Sequence, residues 1–330
     1  MFQPSKRLTA LGSALVLFLA MSGVASCSGP SGTPSPATSN GTLTGPTSGS
    51  APPTATPTAT TDAAEFCGAG SAIHFDRSAF QPAPRIDNKW FPLKPGMQYT
   101  TKGMVKSADG TTERTVVHSV TGLTKVIDGV KTLVMWDRDY YDGQLVESEL
   151  AFFAQTEKGA VWLFGEYPEE YENGTFTGAP RTFIHGISKA QAGIAMQDQP
   201  VTGTPGYVQA HAPDVGFLDC GTVFKQHERV CVPAACYDDV LTVDEYNPLE
   251  PSVGHQQKLY SAGTGLVKVT AVGGADQESL DLIKAEALAD SALTEINRQA
   301  LELDGHAYQV SASVYGTTPR AEVATPGSSG

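Results

Sequence analysis

Cys220, His227, Cys231 and Cys236 are four possible zinc ligands. Thiolates and imidazoles hold zinc, but the spacings here, with six, three and four intervening residues, match no common finger. His227-Glu228 is adjacent and lacks the His-x-Glu spacing of a zinc deaminase. Asp137-Arg138-Asp139-Tyr140-Tyr141-Asp142-Gly143 resembles a calcium loop only at first glance. The EF-hand spacing needs an acid where Tyr141 stands, and Asp142 comes one residue late. On a strand Asp137 and Asp139 share a face, and a solvated strand end is the expected reading. With Glu172 they make the neighbourhood in which a metal-dependent enzyme would have to work. The run Glu166-Tyr167-Pro168-Glu169-Glu170-Tyr171-Glu172-Asn173, with Tyr140 and Tyr141, offers an aromatic platform for a sugar, or simply cross-strand aromatic pairs. No nucleophile elbow, phosphate loop or dinucleotide fingerprint is present. Gly263-Thr264-Gly265 lacks a third glycine and reads as a hairpin turn. The expectation is no catalytic residue, no metal and no cofactor.

The fifth cysteine has different chemistry. Lys6 and Arg7 precede a short apolar run that includes 14–20, and small residues follow it, the pattern of a secretory signal over 1–26. A spanning helix needs about 20 apolar residues, and Gly12, Ser13, Ser22 and Gly23 dilute this one. Val24-Ala25-Ser26-Cys27 then resembles the lipobox of bacterial lipoproteins. The resemblance implies that the Cys27 sulfur carries a diacylglycerol and becomes the mature N-terminus. Two acyl chains hold firmly where one does not, at about 0.8 kcal/mol per buried CH₂. The expected location is therefore the extracytoplasmic face of a cell membrane. Residues 27–62 hold the lipidated Cys27 and a Ser/Thr/Pro/Gly/Ala tract with no charge before Asp62, too poor in apolar side chains to offset its ordering entropy. It reads as a disordered tether, and 306–330 as a mostly disordered tail.

The formal net charge is −13, and removing Lys6 and Arg7 with the signal leaves the remainder more acidic still. Phosphate backbones repel such a domain, so nucleic acid is not a partner. Cys67, Cys220, Cys231 and Cys236 are an even set, which outside the cytoplasm favours two disulfides. Cys220 with Cys231 across a hairpin leaves Cys67 for Cys236; Cys231 with Cys236 across Val-Pro-Ala-Ala is the rival pairing.

The rest of the sequence is written by its turns. Asp109-Gly110, Asp128-Gly129, Asp142-Gly143 and Asn173-Gly174 suit tight type I′ hairpins, with Lys158-Gly159 filling the gap in the series. Strands are placed at 97–107, 111–127, 130–141, 144–157 and 160–171. A loop with one helical turn is placed at 185–206. Further strands follow at 207–212, 222–232, 237–246, 256–261, 266–272 and 279–285. In the fourth strand Val146, Leu150, Phe152 and Ala154 share the buried face, opposite Glu147 and Glu149. The fold class is mainly β over 63–305: a long antiparallel meander in a curved or barrel-like sheet, since so many strands must curl or close. One C-terminal amphipathic helix at about 290–304 carries Leu293, Ile296, Ala300 and Leu303 in a stripe. Asp290 or Ser291 caps it and Gly305 ends it.

Phe91-Pro92-Leu93-Lys94-Pro95-Gly96, the Asp-Gly-punctuated meander and Tyr260-Ser261-Ala262-Gly263-Thr264-Gly265-Leu266-Val267 resemble the TapB-like group of bacterial envelope domains across most of 85–285. The resemblance implies a β-rich, often lipid-anchored domain and carries over no site residues. Three functions fit: a binding module for an apolar ligand such as a lipid, or for an envelope component such as a glycan, which an apolar cavity of several hundred Å³ would support; an envelope scaffold that meets a protein partner; and, third, the enzyme. The binding module is the leading expectation.

Overall fold

The computed structural model describes residues 65–324. The signal, Cys27, the tether and residues 325–330 lie outside the described residues. Fifteen strands form a single antiparallel sheet: β1 (Met97–Ser107), β2 (Gly110–Ile127), β3 (Val130–Tyr141), β4 (Gln144–Gln155), β5 (Val161–Glu172), β6 (Thr175–Gly178), β7 (Phe183–Ile184), β8 (Gln191–Met196), β9 (Tyr207–Ala212), β10 (Phe217–Val232), β11 (Ala235–Tyr246), β12 (His255–Ser261), β13 (Gly265–Val272), β14 (Gln277–Ala287) and β15 (Glu322–Val323). Helices α1 (Asp290–Val310) and α2 (Ala312–Tyr315) precede the last strand. Twelve strands close a barrel in the order β1-β14-β13-β12-β11-β10-β9-β8-β5-β4-β3-β2, and β2 pairs back onto β1. Closure leaves no bare sheet edge around that ring. β6 and β7 pair only with β5, and β15 lies beside β2 at Leu123 and Thr124.

The dipeptide turns place the hairpins. Asp128 and Gly129, Asp142 and Gly143, and Asn173 and Gly174 all have positive φ, as a type I′ turn requires. At 109–110 only Gly110 has positive φ. The loop expected at 185–206 instead holds β8, which bridges β5 to β9 and so lets the barrel close. Gln-Ala-Gly-Ile-Ala-Met has little strand propensity. It fits because the backbones approach closely: a Cβ on Gly193 would stand 2.3 Å from the Val208 carbonyl oxygen.

The barrel is apolar on both sides for part of its height. Inside, Leu133, Met135, Phe153, Leu163, Val243 and Tyr260 pack beneath a strap that includes Ile86, Trp90 and Leu93. Outside, Val134, Leu150, Phe152 and Phe164 pack with Ile296, Ala300, Leu303 and Ala307 of α1 and with Tyr315 of α2. The buried stripe on α1 runs 0, 4, 7, 11, so the helix continues past Gly305 to Val310 because its apolar face does. Ala289, without a side-chain hydrogen bond, takes the N-cap position, and Asp290 is the first helical residue. The disordered tail expected from 306 is corrected through 324: the end of α1, α2 and β15 all pack on the barrel. Lys125 holds this segment. Its buried ammonium donates to Asp304 at 3.0 Å, to the Tyr308 hydroxyl at 2.9 Å and to the Pro319 carbonyl at 2.7 Å.

The disulfides are Cys67–Cys220 and Cys231–Cys236. The pairing of Cys220 with Cys231 is corrected: both lie on the same strand, β10, and cannot face one another. Cys231 and Cys236 stand directly opposite in the β10–β11 register, so the rival pairing holds for them. This hairpin folds back until Val230, Val232 and Tyr237 pack with Val267 and Leu282.

Candidate functional site

Alternate residues of a strand share a face, so one strand reports the lining of the barrel along its height. On β3 the inward series is Leu133, Met135, Asp137, Asp139, Tyr141; on β4, read in the opposite direction, it is Phe153, Ala151, Glu149, Glu147. The register sets Leu133 against Phe153, Asp137 against Glu149 and Asp139 against Glu147. An apolar layer therefore gives way to a charged one. The apolar face of the fourth strand is buried as expected, but on the outside of the barrel, and the opposite face is buried too. Glu147 and Glu149 are buried in the lumen, while Leu150, Phe152 and Ala154 are covered by α1 and its neighbours. Val146 joins neither set and packs with Val105 and Tyr141.

The charged layer is a network. The Arg114 guanidinium meets Asp139 at 2.8 Å and Glu278 at 2.7 Å, all three buried. His118 Nδ1 lies 3.0 Å from Asp137 Oδ1. The Lys258 ammonium pairs with Glu245 at 2.5 Å, and Gln209 Nε2 donates to the same carboxylate at 2.9 Å. The Tyr260 hydroxyl also bonds to Glu245. Burial pushes the Glu149, Glu166 and Asp219 carboxyls well above the ordinary range, and neighbouring carboxylates push the same way while Lys258 opposes them. Glu149 on β4 feels Lys258 on β12, and these strands are not neighbours, so their interaction crosses the interior. Several acceptors in this layer have no hydrogen-bond partner: both Asp219 oxygens, Oε1 of Glu149, Oε1 of Glu166 and Oε1 of Gln209.

Between the two layers lies a cavity of about 80 Å³. Phe91, Leu93, Met135, Phe153 and Leu266 make its apolar walls, and His118, Gln209, Glu245 and Lys258 its polar floor. On this measure about 10–15 Å³ holds one water, so the space takes a short chain of atoms and not a lipid tail.

The residues singled out by sequence sort as follows. Asp137 and Asp139 do share a face, but buried in the lumen and not at a solvated strand end. Glu172 is exposed at the end of β5, so the proposed acidic trio is not assembled. Cys220, Cys231 and Cys236 are in disulfides, and His227 pairs with Asp239. Among the described residues no group of three or more His, Cys, Asp or Glu is placed to hold a metal. The aromatic platform does not form: Tyr141 is buried inside, and the Tyr167 and Tyr171 hydroxyls both donate to Glu169 at 2.6 Å. Arg114, Gln209, Asp219, Glu245 and Lys258 were not anticipated. Only Gln209 and Asp219 carried a signal, each flanked by apolar residues on a strand buried on both faces, whereas Arg114, Glu245 and Lys258 each have a polar neighbour in sequence.

No protein-family model matches the chain, and no curated protein matches it. Two solved structures align with it. One, from Bacteroides fragilis, is described as an exported protein with a YmcC-like fold; it is 15% identical, covers 60% of this chain and 99% of its own, with a TM-score of 0.35. The other, described as a lipoprotein from Parabacteroides distasonis, is 13% identical, covers 61% and 100%, and scores 0.34. Likeness this loose bears on neither mechanism nor ligand, and the TapB-like resemblance stays a resemblance.

Proposed function

We propose that this chain is an extracytoplasmic lipoprotein, anchored through a diacylglycerol on Cys27, whose barrel is a non-catalytic binding module for a small amphiphile. The observation that carries the binding role is the lumenal cavity, with one side apolar and the other lined by Gln209, Glu245, Lys258 and His118. Sites of this kind fix orientation with a few polar groups and take their affinity from apolar contact. Two disulfides support an oxidising compartment. The cavity is far smaller than the several hundred Å³ that a lipid chain needs, and this observation favours the scaffold reading as the alternative, with the filled barrel presenting its outer surface to an envelope partner.

The test is native mass spectrometry of the mature chain, purified in detergent from an oxidising compartment, against its denatured mass. Binding predicts a small added mass that organic extraction removes. The denatured mass should carry the Cys27 lipid and lack the four hydrogens lost to two disulfides. A bare barrel in every preparation would move the assignment to the scaffold. A mass without lipid would remove the anchor.

A further inference from the structure

We infer that the lumenal cavity recognises a small primary ammonium ion: a short alkyl or aryl amine whose cationic head sits on the Gln209–Glu245 floor and whose apolar body lies against the aromatic wall. This rests on the binding reading above and names its ligand class.

On the floor, the Gln209 amide nitrogen is already committed to Glu245, as are the Lys258 ammonium and the Tyr260 hydroxyl. What Gln209 leaves open is its carbonyl oxygen, buried and without a partner. A ligand that brings only acceptors gives that oxygen nothing, and an unmet buried acceptor is costly. A ligand that donates satisfies it. The charge around the floor selects among donors. Glu245 pairs with the Lys258 ammonium at 2.5 Å, and Asp219, Glu166 and Glu149 lie within Coulomb range of the same ammonium. A carboxylate ligand would be one more acid among these carboxyls, whereas a cation beside them favours their ionised forms and is attracted by them. Tyr99, Phe91, Phe153 and Tyr260 line the same cavity, and aromatic faces also attract a desolvated ammonium. The volume, about 80 Å³, limits the body to a handful of atoms.

Three probes of one shape, n-pentylamine, 1-pentanol and pentanoate, separate the possibilities when titrated calorimetrically into the mature chain. The amine is expected to bind about tenfold or more tightly than the alcohol, since a hydrogen bond from a charged donor is roughly twice as strong as a neutral one, and pentanoate is expected not to bind. Gln209→Met removes the open carbonyl at similar volume. It should weaken the amine about tenfold and the alcohol less, in keeping with the weaker neutral hydrogen bond, and the residual alcohol binding reports that the variant is folded. Leu266→Trp fills the cavity and should abolish both. If alcohol or pentanoate binds as tightly as the amine, and Leu266→Trp removes that binding, cation recognition is wrong while the cavity remains a ligand site. If no probe binds, or binding survives Leu266→Trp, this inference and the binding reading fall together.

Discussion

Asp219, Glu149 and Glu166 are carboxyls held where water cannot reach them, and their behaviour with pH follows. Their folded-state affinity for protons is raised by burial first and by neighbouring acids second. Below the ordinary carboxyl range both folded and unfolded chains are protonated, and these groups cost nothing. As pH rises through that range the unfolded chain releases the protons and the folded chain does not, so stability falls. The barrel should therefore unfold at lower denaturant near pH 8 than near pH 5. Asp219→Asn, which keeps the shape and removes the ionisation, should gain at least about 1 kcal/mol at pH 8, the worth of roughly one pKa unit, and nothing near pH 4. A gain independent of pH would contradict this account. Arg114 is the opposite case. Arg114→Met strands Asp139 and Glu278 in the lumen and should cost about 3–5 kcal/mol at neutral pH, with part recovered as acid protonates the carboxyls. None of this was legible in the sequence, because Glu147 and Glu149 alternate with Leu150 and Phe152 just as they would on a half-exposed strand. Which face is wet is decided by α1, some 140 residues away in the chain.

Helix α1 was legible as a stripe and misread at its end. Gly305 looks like a stop, but Ala307 and Tyr315 extend the apolar contact and the helix follows them. The polar clamp beneath it, Lys125 with Asp304, has no local signature. Burial lowers the Lys125 pKa from its usual value, and Asp304 works against that shift. Lys125→Met alone should destabilise by about 3–5 kcal/mol by leaving Asp304 buried without its cation, whereas Lys125→Met with Asp304→Leu should recover most of it. Thermal unfolding of the two variants checks this, and equal losses would show that the ion pair itself carries the stability. Strand β8 was missed for a related reason. Alanine and glycine give no strand signal on their own, and only the neighbouring backbone at Val208 explains them.

The disulfides tie the molecule at two lengths. Cys67–Cys220 spans 153 positions and Cys231–Cys236 spans 5. Because a cross-link restricts the unfolded chain more as the loop lengthens, Cys67→Ala/Cys220→Ala should cost about 5 kcal/mol and Cys231→Ala/Cys236→Ala about 2. Chemical denaturation of each pair of variants measures both, and a reversed order would show that the hairpin disulfide holds the fold-back of β10–β11 onto the barrel. Asp-Gly and Asn-Gly made the hairpins, and so the meander, legible in the sequence, while closure needed β8 and the pairing of β1 with β14.

That pairing also sets a timetable. Met97 of β1 lies opposite Ala287 of β14, so the ring cannot shut until its last strand has been made. Until that strand arrives the sheet has open edges and its acidic lining faces water. The carboxyls that burial keeps protonated in the finished lumen are hydrated and charged in that interval, and like charge opposes association between unfinished barrels.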